Sequence, residues 1–255
     1  MAIQIGGAPL SIADGVRSFA HAQPAAIAVI DGDRELTYRE LDRRSSRLAN
    51  ALLAAGHRDG EKIAVLLGNR LEYCEIAAGI AKAGLVMVPL NPRMTAAEVD
   101  YIMGHSRASA LILDEAYATA ATESAKACRT VLSIDTATLG EPYEPALAGA
   151  SSVDRLLPVD ELSPFCVTYT SGTTGKPKGV LISHRSRSLT FLASALEWNL
   201  GTGRRSIAVA PMYHGAGFAF GYSPVHTGGT VAMLRSWDPR KFLAMVERVR
   251  AQSVF

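Results

Sequence analysis

Residues 169–180 read Tyr-Thr-Ser-Gly-Thr-Thr-Gly-Lys-Pro-Lys-Gly-Val, and nine of these twelve are Thr, Ser, Gly or Lys. Such a stretch can hold an anion. Gly172, Gly175 and Gly179 reach backbone angles closed to other residues and let a ligand approach the main chain. Successive backbone N–H groups in such a turn form an anion-binding concavity. Ser171, Thr173 and Thr174 add hydroxyl donors, and Lys176 and Lys178 add positive charge. Together they describe a loop that grips phosphate. The competing reading is a flexible, solvated Gly/Thr hairpin loop. It is the weaker one, because apolar strand-like segments, 164–168 and 180–183, hold this density of donors on both sides.

Other loop chemistries do not fit. A P-loop counted from Gly172 needs glycine at 177, which is Pro177. No Gly-x-Gly-x-x-Gly occurs anywhere, so the dinucleotide fingerprint is absent. A nucleophile elbow centred on Ser171 needs glycine at 169 and 173, which are Tyr169 and Thr173. A second candidate is the turn Pro211-Met-Tyr-His214, which follows an apolar strand-like run. In open α/β sheets, ligands sit outside the C-terminal ends of strands.

Composition narrows the remaining classes. The 255 residues could form one large domain or two small ones. A net charge of +2 argues against an electrostatic nucleic-acid binder. Cys74, Cys128 and Cys166 are odd in number and widely spaced, which suits a reducing cytoplasm and neither a disulfide framework nor a zinc site. The six histidines show no ligand spacing. The first residues lack the pattern of a signal peptide, and no apolar run approaches the length of a transmembrane segment.

The phosphate loop and the 211–214 turn need a scaffold, and the flanking patterns supply one. Residues 15–21 have helical character and stop at Pro24. Runs 26–30 and 34–37 around Asp31-Gly32-Asp33 read as a hairpin. Thr37…Glu40 and Thr95…Glu98 are capping boxes that open helices. Strands are expected at 62–67, 85–90, 110–113 and 130–134, alternating with helices over 70–82 and 115–127. This alternation predicts a parallel sheet covered by helices. Residues 135–162 are rich in Gly, Pro and Ser and read as a long irregular connection and subdomain boundary. Beyond the loop, a helix over 184–198 capped by Ser183, strands 206–210 and 230–234, a helix from Asp238 to about 250, and the start of a strand at 253 are expected.

Tyr169–Val180 resembles the signature loop of the adenylate-forming, or AMP-binding, enzymes. These include acyl- and aryl-CoA synthetases, firefly-luciferase-like enzymes and the adenylation domains of peptide synthetases. Leu36–Leu41, Lys82–Pro92, Thr95–Met103, Pro211–His214 and Gly228–Pro239 resemble further family segments in the expected order. The resemblance implies an α/β fold of layered parallel sheets flanked by helices, the N-terminal large-domain portion of that fold. Residues 1–150 would be its first subdomain, and 151–255 the start of the second. The family's later motifs and small C-terminal domain have no counterpart in these residues. On this reading the chain is the N-terminal part of an acyl-CoA synthetase and does not turn over alone.

The resemblance also implies a two-step reaction with ATP, Mg2+ and coenzyme A, acting on a small-molecule carboxylic acid. Thr170, Ser171, Gly172, Thr173, Thr174, Gly175, Lys176 and Lys178 would hold the β- and γ-phosphates. The Thr170 hydroxyl would also touch Mg2+, and Lys178 would carry most of the charge. His214 would line or gate the acyl pocket, against the alternative of a packed histidine. Met212 and Tyr213 read as pocket wall or core, His184 as structural, and Asn91 as a turn former. Peptide-synthetase domains usually carry an aspartate near this turn, and none lies between Ile207 and Tyr222; that favours an acid without an α-amine. Alternatives are a non-catalytic nucleotide-binding module, an adenylation domain that delivers to a carrier protein, or a plain α/β interaction domain. Uncovered apolar surface predicts self-association.

Overall fold

The computed structural model describes residues 9–170 and 176–254. Helix α1 (Asp14–Ala22) precedes the hairpin of β1 (Ile27–Asp31) and β2 (Arg34–Thr37). The chain continues through α2 (Tyr38–Ala54), β3 (Lys62–Leu66), α3 (Glu72–Lys82), β4 (Val86–Leu90), α4 (Ala96–Ser106), β5 (Ala108–Asp114), α5 (Ala118–Ala125) and β6 (Thr130–Ile134). Next come β7 (Glu141–Pro142), α6 (Tyr143–Ala148), β8 (Pro164–Thr170), β9 (Lys178–Ser183) and α7 (His184–Trp198). The last described elements are β10 (Arg205–Ala208), α8 (Gly215–Thr227), β11 (Thr230–Met233), α9 (Pro239–Val249) and β12 (Ser253–Val254).

Two sheets result. One runs β7-β6-β5-β3-β4-β8-β9, the other β12-β10-β11-β1-β2. Every pairing is parallel except β8 with β9 and β1 with β2, the two hairpins that close one edge of each sheet. The expected helix-covered parallel architecture is therefore present. Its main core lies where α2, α3, α7 and α8 pack between the sheets, around buried Leu41, Leu48, Ile76, Phe165, Phe191 and Tyr222. Neither sheet divides at residue 150. The first takes β8 and β9 from beyond it, and the second combines β1 and β2 with β10, β11 and β12.

Both capping boxes form as their spacing requires. Thr37 accepts from the Glu40 amide while Glu40 reaches back to Thr37, and Thr95 and Glu98 do the same. Asn91 also forms its turn, with Oδ1 accepting from the Arg93 amide at 2.9 Å.

Two segments depart from expectation. Residues 135–162 are not wholly irregular, because α6 forms at 143–148. Its anchors are side chains far away in sequence. Arg44 pairs with Glu144, Arg47 donates to the carbonyls of Leu147, Ala148 and Ala150, and Asn50 holds those of Ser151 and Val153. The second departure is α8, which forms where the chain carries three glycines and Pro224. Low intrinsic propensity is overridden by packing that only small residues allow: Gly217 lies against the backbone of Pro211, and Gly221 against the Met212 sulfur.

An ion network joins the two sheets near the ends of β1, β5 and β6. Buried Arg70 meets Glu72 at 2.8 Å, Asp114 at 2.5 Å and Asp135 at 3.0 Å. Arg34 links Glu72 to Asp31, which Arg235 also holds at 2.7 Å. Burial alone would raise the Glu72 carboxyl, but Arg34 and Arg70 outweigh it and bring its pKa down to about 2.

Candidate functional site

The loop hangs from the β8–β9 hairpin. Thr170, the last residue of β8, pairs in register with Lys178, the first of β9. Both are exposed, as is Lys176. Because β8 runs parallel to β4 and β4 to β3, the loop leaves from the C-terminal ends of the parallel strands, where ligands of α/β sheets bind. Ser171, Gly172, Thr173, Thr174 and Gly175 lie outside the described residues.

Helix α4 holds the hairpin from one side. The Tyr101 hydroxyl donates to the Pro177 carbonyl at 3.1 Å, and the Lys176 ammonium lies 5.8 Å from the centre of the Tyr101 ring. His105 bonds the Tyr169 hydroxyl at 2.8 Å and stacks on Tyr101. Opposite Tyr169 in the ladder is Gly179, where a Cβ would come within 2.8 Å of Val167 and 3.3 Å of the Tyr169 ring. Glycine at 179 thus lets the ring fold across the neighbouring strand.

The second part follows β10. Residues 209–214 turn from the strand into α8, and His214 occupies the N-cap position with extended backbone angles. The His214 amide donates to the Pro211 carbonyl, and its own carbonyl accepts from Phe218. Its side chain makes no capping bond and is exposed. Met212 is buried at 1% exposure.

Buried Asn69 fixes this turn. Its Oδ1 accepts from the Met212 amide at 2.7 Å, and its Nδ2 donates to the carbonyls of Ala208 and Ala210, each at 3.1 Å. Sequence reasoning missed Asn69. Its partners are some 140 positions away, and an asparagine after a strand signals only a turn.

A crevice of only about 10 Å³ lies between β8 and the 209–214 turn. It is lined by Thr168 and Cys166 from β8, Pro89 from β4, Tyr73 and Arg187, and Met212 to Gly215. Thr168 lies two residues before Thr170 and so on the same face of β8. The structure therefore brings His214 to the strand that carries the loop. His184 lies outside this cleft: it is buried, its Nδ1 accepts from the Ile12 amide, and burial lowers its pKa to about 4. That is the structural role expected of it.

Comparison with known proteins places the chain. A family model described as AMP-binding enzyme matches residues 16–255. The chain belongs to the AMP-binding enzyme family. It is 35% identical over 237 residues to a feruloyl-CoA synthase of Amycolatopsis, a match covering 92% of this chain and 46% of that protein. It is 33% identical to the fatty acid–[acyl-carrier-protein] ligase ScoC of Streptomyces coeruleorubidus, over 89% of this chain and 44% of the relative. The chain thus spans less than half the length of these curated relatives. Among solved structures, ATP-bound MatB of Rhodopseudomonas palustris superposes with a TM-score of 0.83 at 26% identity, over 94% of this chain and 48% of that one. The expected family and fold are thus those of the chain. Among the described residues, no helix is long and apolar enough to cross a membrane.

Proposed function

We propose that the protein is an ATP-dependent ligase that activates a carboxylic acid as its acyl-adenylate, and that residues 170–178 grip the terminal phosphates of ATP. The observation that carries this reading is the placement of the hairpin. It presents Thr170, Lys176 and Lys178 at the C-terminal ends of the parallel strands, and the same strand β8 continues into a cleft lined by His214. A carboxylate oxygen of the acid attacks the α-phosphorus, and pyrophosphate leaves. A thiol then attacks the acyl carbon and AMP leaves. The first step brings anions together, so cations and N–H donors placed at the phosphates supply most of the catalysis. Lys178 is the principal charge. Ser171, Gly172, Thr173, Thr174 and Gly175 supply hydroxyl and amide donors, and His214 borders the acid.

Mg2+ fits this donor set as a partner of ATP. Thr170 offers one hard oxygen, and among the described residues no group of three or more His, Cys, Asp or Glu gathers to hold an ion. Mg2+ is commonly bound through substrate phosphates with few protein ligands. The acceptor thiol is assigned to coenzyme A, because the first relative forms a CoA thioester by its name. Transfer to a carrier protein is the second reading, favoured by the likeness to ScoC. Residues 1–150 and 151–255 are proposed to serve as successive subdomains, whose strands mix in both sheets.

The test is calorimetric titration of the chain with Mg-ATP. Lys178→Ala should weaken binding about 10- to 100-fold, the effect of losing one charge-assisted contact. Unchanged affinity in that variant would remove the loop from the site.

A further inference from the structure

The two ends of the loop meet a single turn of one helix. Tyr169 stands on β8 just before the loop, and Pro177 just after it, ahead of β9. Tyr169 is tied to His105, whose Nδ1 lies 2.8 Å from its hydroxyl and whose ring meets the Tyr169 ring edge-on at 5.7 Å. Pro177 is tied to Tyr101 by the 3.1 Å bond from hydroxyl to carbonyl. The neighbouring Lys176 ammonium lies over the same Tyr101 ring, 5.8 Å from its centre. Tyr101 and His105 are four residues apart on α4 and so share one face, and their rings stack at 5.6 Å. Four helical residues rise about 6 Å, close to the roughly 5 Å between paired strands. One turn of α4 therefore reaches both arms of the hairpin.

The helix that supplies this turn is itself fixed. Val99, Ile102 and Met103 are buried in a cluster with Val88 and Leu90 of β4 and Val167 of β8, and Tyr101 and Tyr169 pack against it. The Thr95–Glu98 capping box closes the helix at one end. What α4 holds at 101 and 105 is thus held relative to the strands from which the loop leaves. Proline has a fixed φ, so a bond to the Pro177 carbonyl constrains the lysines on either side of it. A ring beneath Lys176 attracts the ammonium without neutralising it, as a carboxylate would. The lysine keeps its full charge for an incoming anion and gives up rotamer freedom in advance. Ordering of this kind before binding lowers the cost of binding.

We propose that Tyr101 and His105 are positioning residues for the phosphate site. Helix α4 clamps both ends of the loop, and Tyr101 stations the Lys176 ammonium so that it meets the terminal phosphates together with Thr170 and Lys178. This rests on the reading of residues 170–178 as the phosphate grip. Neither residue touches the reacting atoms, and both act through the hairpin. The clamp also accounts for glycine at 179, since a Cβ there would press on the Tyr169 ring and disturb its bond to His105.

The experiment titrates the chain with Mg-pyrophosphate, read by NMR, and follows the Lys176 ε-methylene protons. In the free chain the Tyr101 ring current should place these protons upfield of those of the other lysines, and pyrophosphate should move them. Tyr101→Phe keeps the ring and removes the hydroxyl bond. It should retain the upfield position and weaken binding about 3- to 10-fold. Tyr101→Leu removes both contacts, and should lose the upfield position and at least about tenfold in affinity. His105→Ala should weaken binding about 3- to 10-fold. A double-mutant cycle separates positioning from general damage. In a Lys176→Ala background, Tyr101→Leu should cost only about threefold, because the ammonium it stations is gone. Lys176 protons without the upfield shift, parent-like affinity in Tyr101→Leu, or equal losses with and without Lys176 would each overturn the proposal. A parent chain that binds neither Mg-pyrophosphate nor Mg-ATP would sink the phosphate reading and this inference with it. A parent chain that binds them, with Tyr101→Leu binding equally well, would sink this inference alone.

Discussion

Three glycines of α8 give a graded test of how the site is held. A Cβ at Gly217 would lie 2.1 Å from the Pro211 carbonyl oxygen and 2.7 Å from its carbon. These are backbone atoms and cannot rotate away. Relief requires the helix and the 209–214 turn to part by more than an ångström. That movement strains the three bonds through which Asn69 holds Ala208, Ala210 and Met212. Overpacking of this kind costs about 1–3 kcal/mol, and each weakened hydrogen bond adds up to about 1 kcal/mol. Gly217→Ala should therefore destabilise by about 2–4 kcal/mol. In a chain of this size that lowers Tm by roughly 5–15 °C. Gly215→Ala is the control, because nothing lies within 4 Å of the added atom. With alanine's better helix propensity, it should be neutral or stabilising by up to about 1 kcal/mol. Gly221→Ala should fall between them: its 2.1 Å clash is with the Met212 sulfur, a flexible side chain, though a buried one. Thermal and guanidinium denaturation measure all three. A Gly217→Ala protein as stable as the parent, or a Gly215→Ala protein that loses as much, would refute the packing account of the turn.

Two further outcomes can be measured. Burial lowers the pKa of His184 to about 4, only partly opposed by Asp160, so between pH 6.5 and 4 the unfolded chain binds a proton that the folded chain refuses. Stability is then lost as pH falls through that window, by up to about 3 kcal/mol, and His184→Gln should flatten the decline in denaturation midpoints; an unchanged slope would count against it. Losses from Glu72 and Asp154, both held at about 2, belong to more acidic solution. The second outcome concerns α7, which exposes Leu189, Leu192 and Leu196 at helical spacing. Light scattering should show mass rising with concentration and Leu196→Glu suppressing it, whereas a monodisperse parent chain at high concentration would contradict the idea.

What could be read from the sequence was local. The capping boxes at Thr37 and Thr95, the Asp31-Gly32 hairpin and the apolar runs of β3 to β6 each carry their instruction within a few residues, and each formed. Helix α6 was hidden because its anchors, Arg44, Arg47 and Asn50, lie about 100 positions away. Helix α8 was hidden because its glycines lower helix propensity while permitting the contacts that create the helix. The donor density of the loop, on which the proposed phosphate grip rests, was legible in the sequence, whereas the burial of Arg187 was not. An arginine three residues into an amphipathic stretch reads as solvated surface, and only the packing of Phe218 over it shows otherwise.

The two halves of the site belong to different sheets, which constrains how it can work. The loop is carried by β8 and β9 of one sheet, and the His214 turn by β10 of the other. Their separation is therefore set by whatever locks the sheets together. Two devices do this close by: the Arg70 network, which spans Asp31 and Arg235 on one side and Asp114 and Asp135 on the other, and Asn69, whose neighbour in the chain is Arg70 itself. Residues 69 and 70 thus act on both sheets at once, one through neutral hydrogen bonds to the turn and the other through charge. A shift of the sheets would alter the distance between the proposed phosphate donors and the proposed acid site directly, and positional errors of an ångström are costly where two reactants must meet. The short segment after β3 thus fixes the geometry on which both proposed binding events depend.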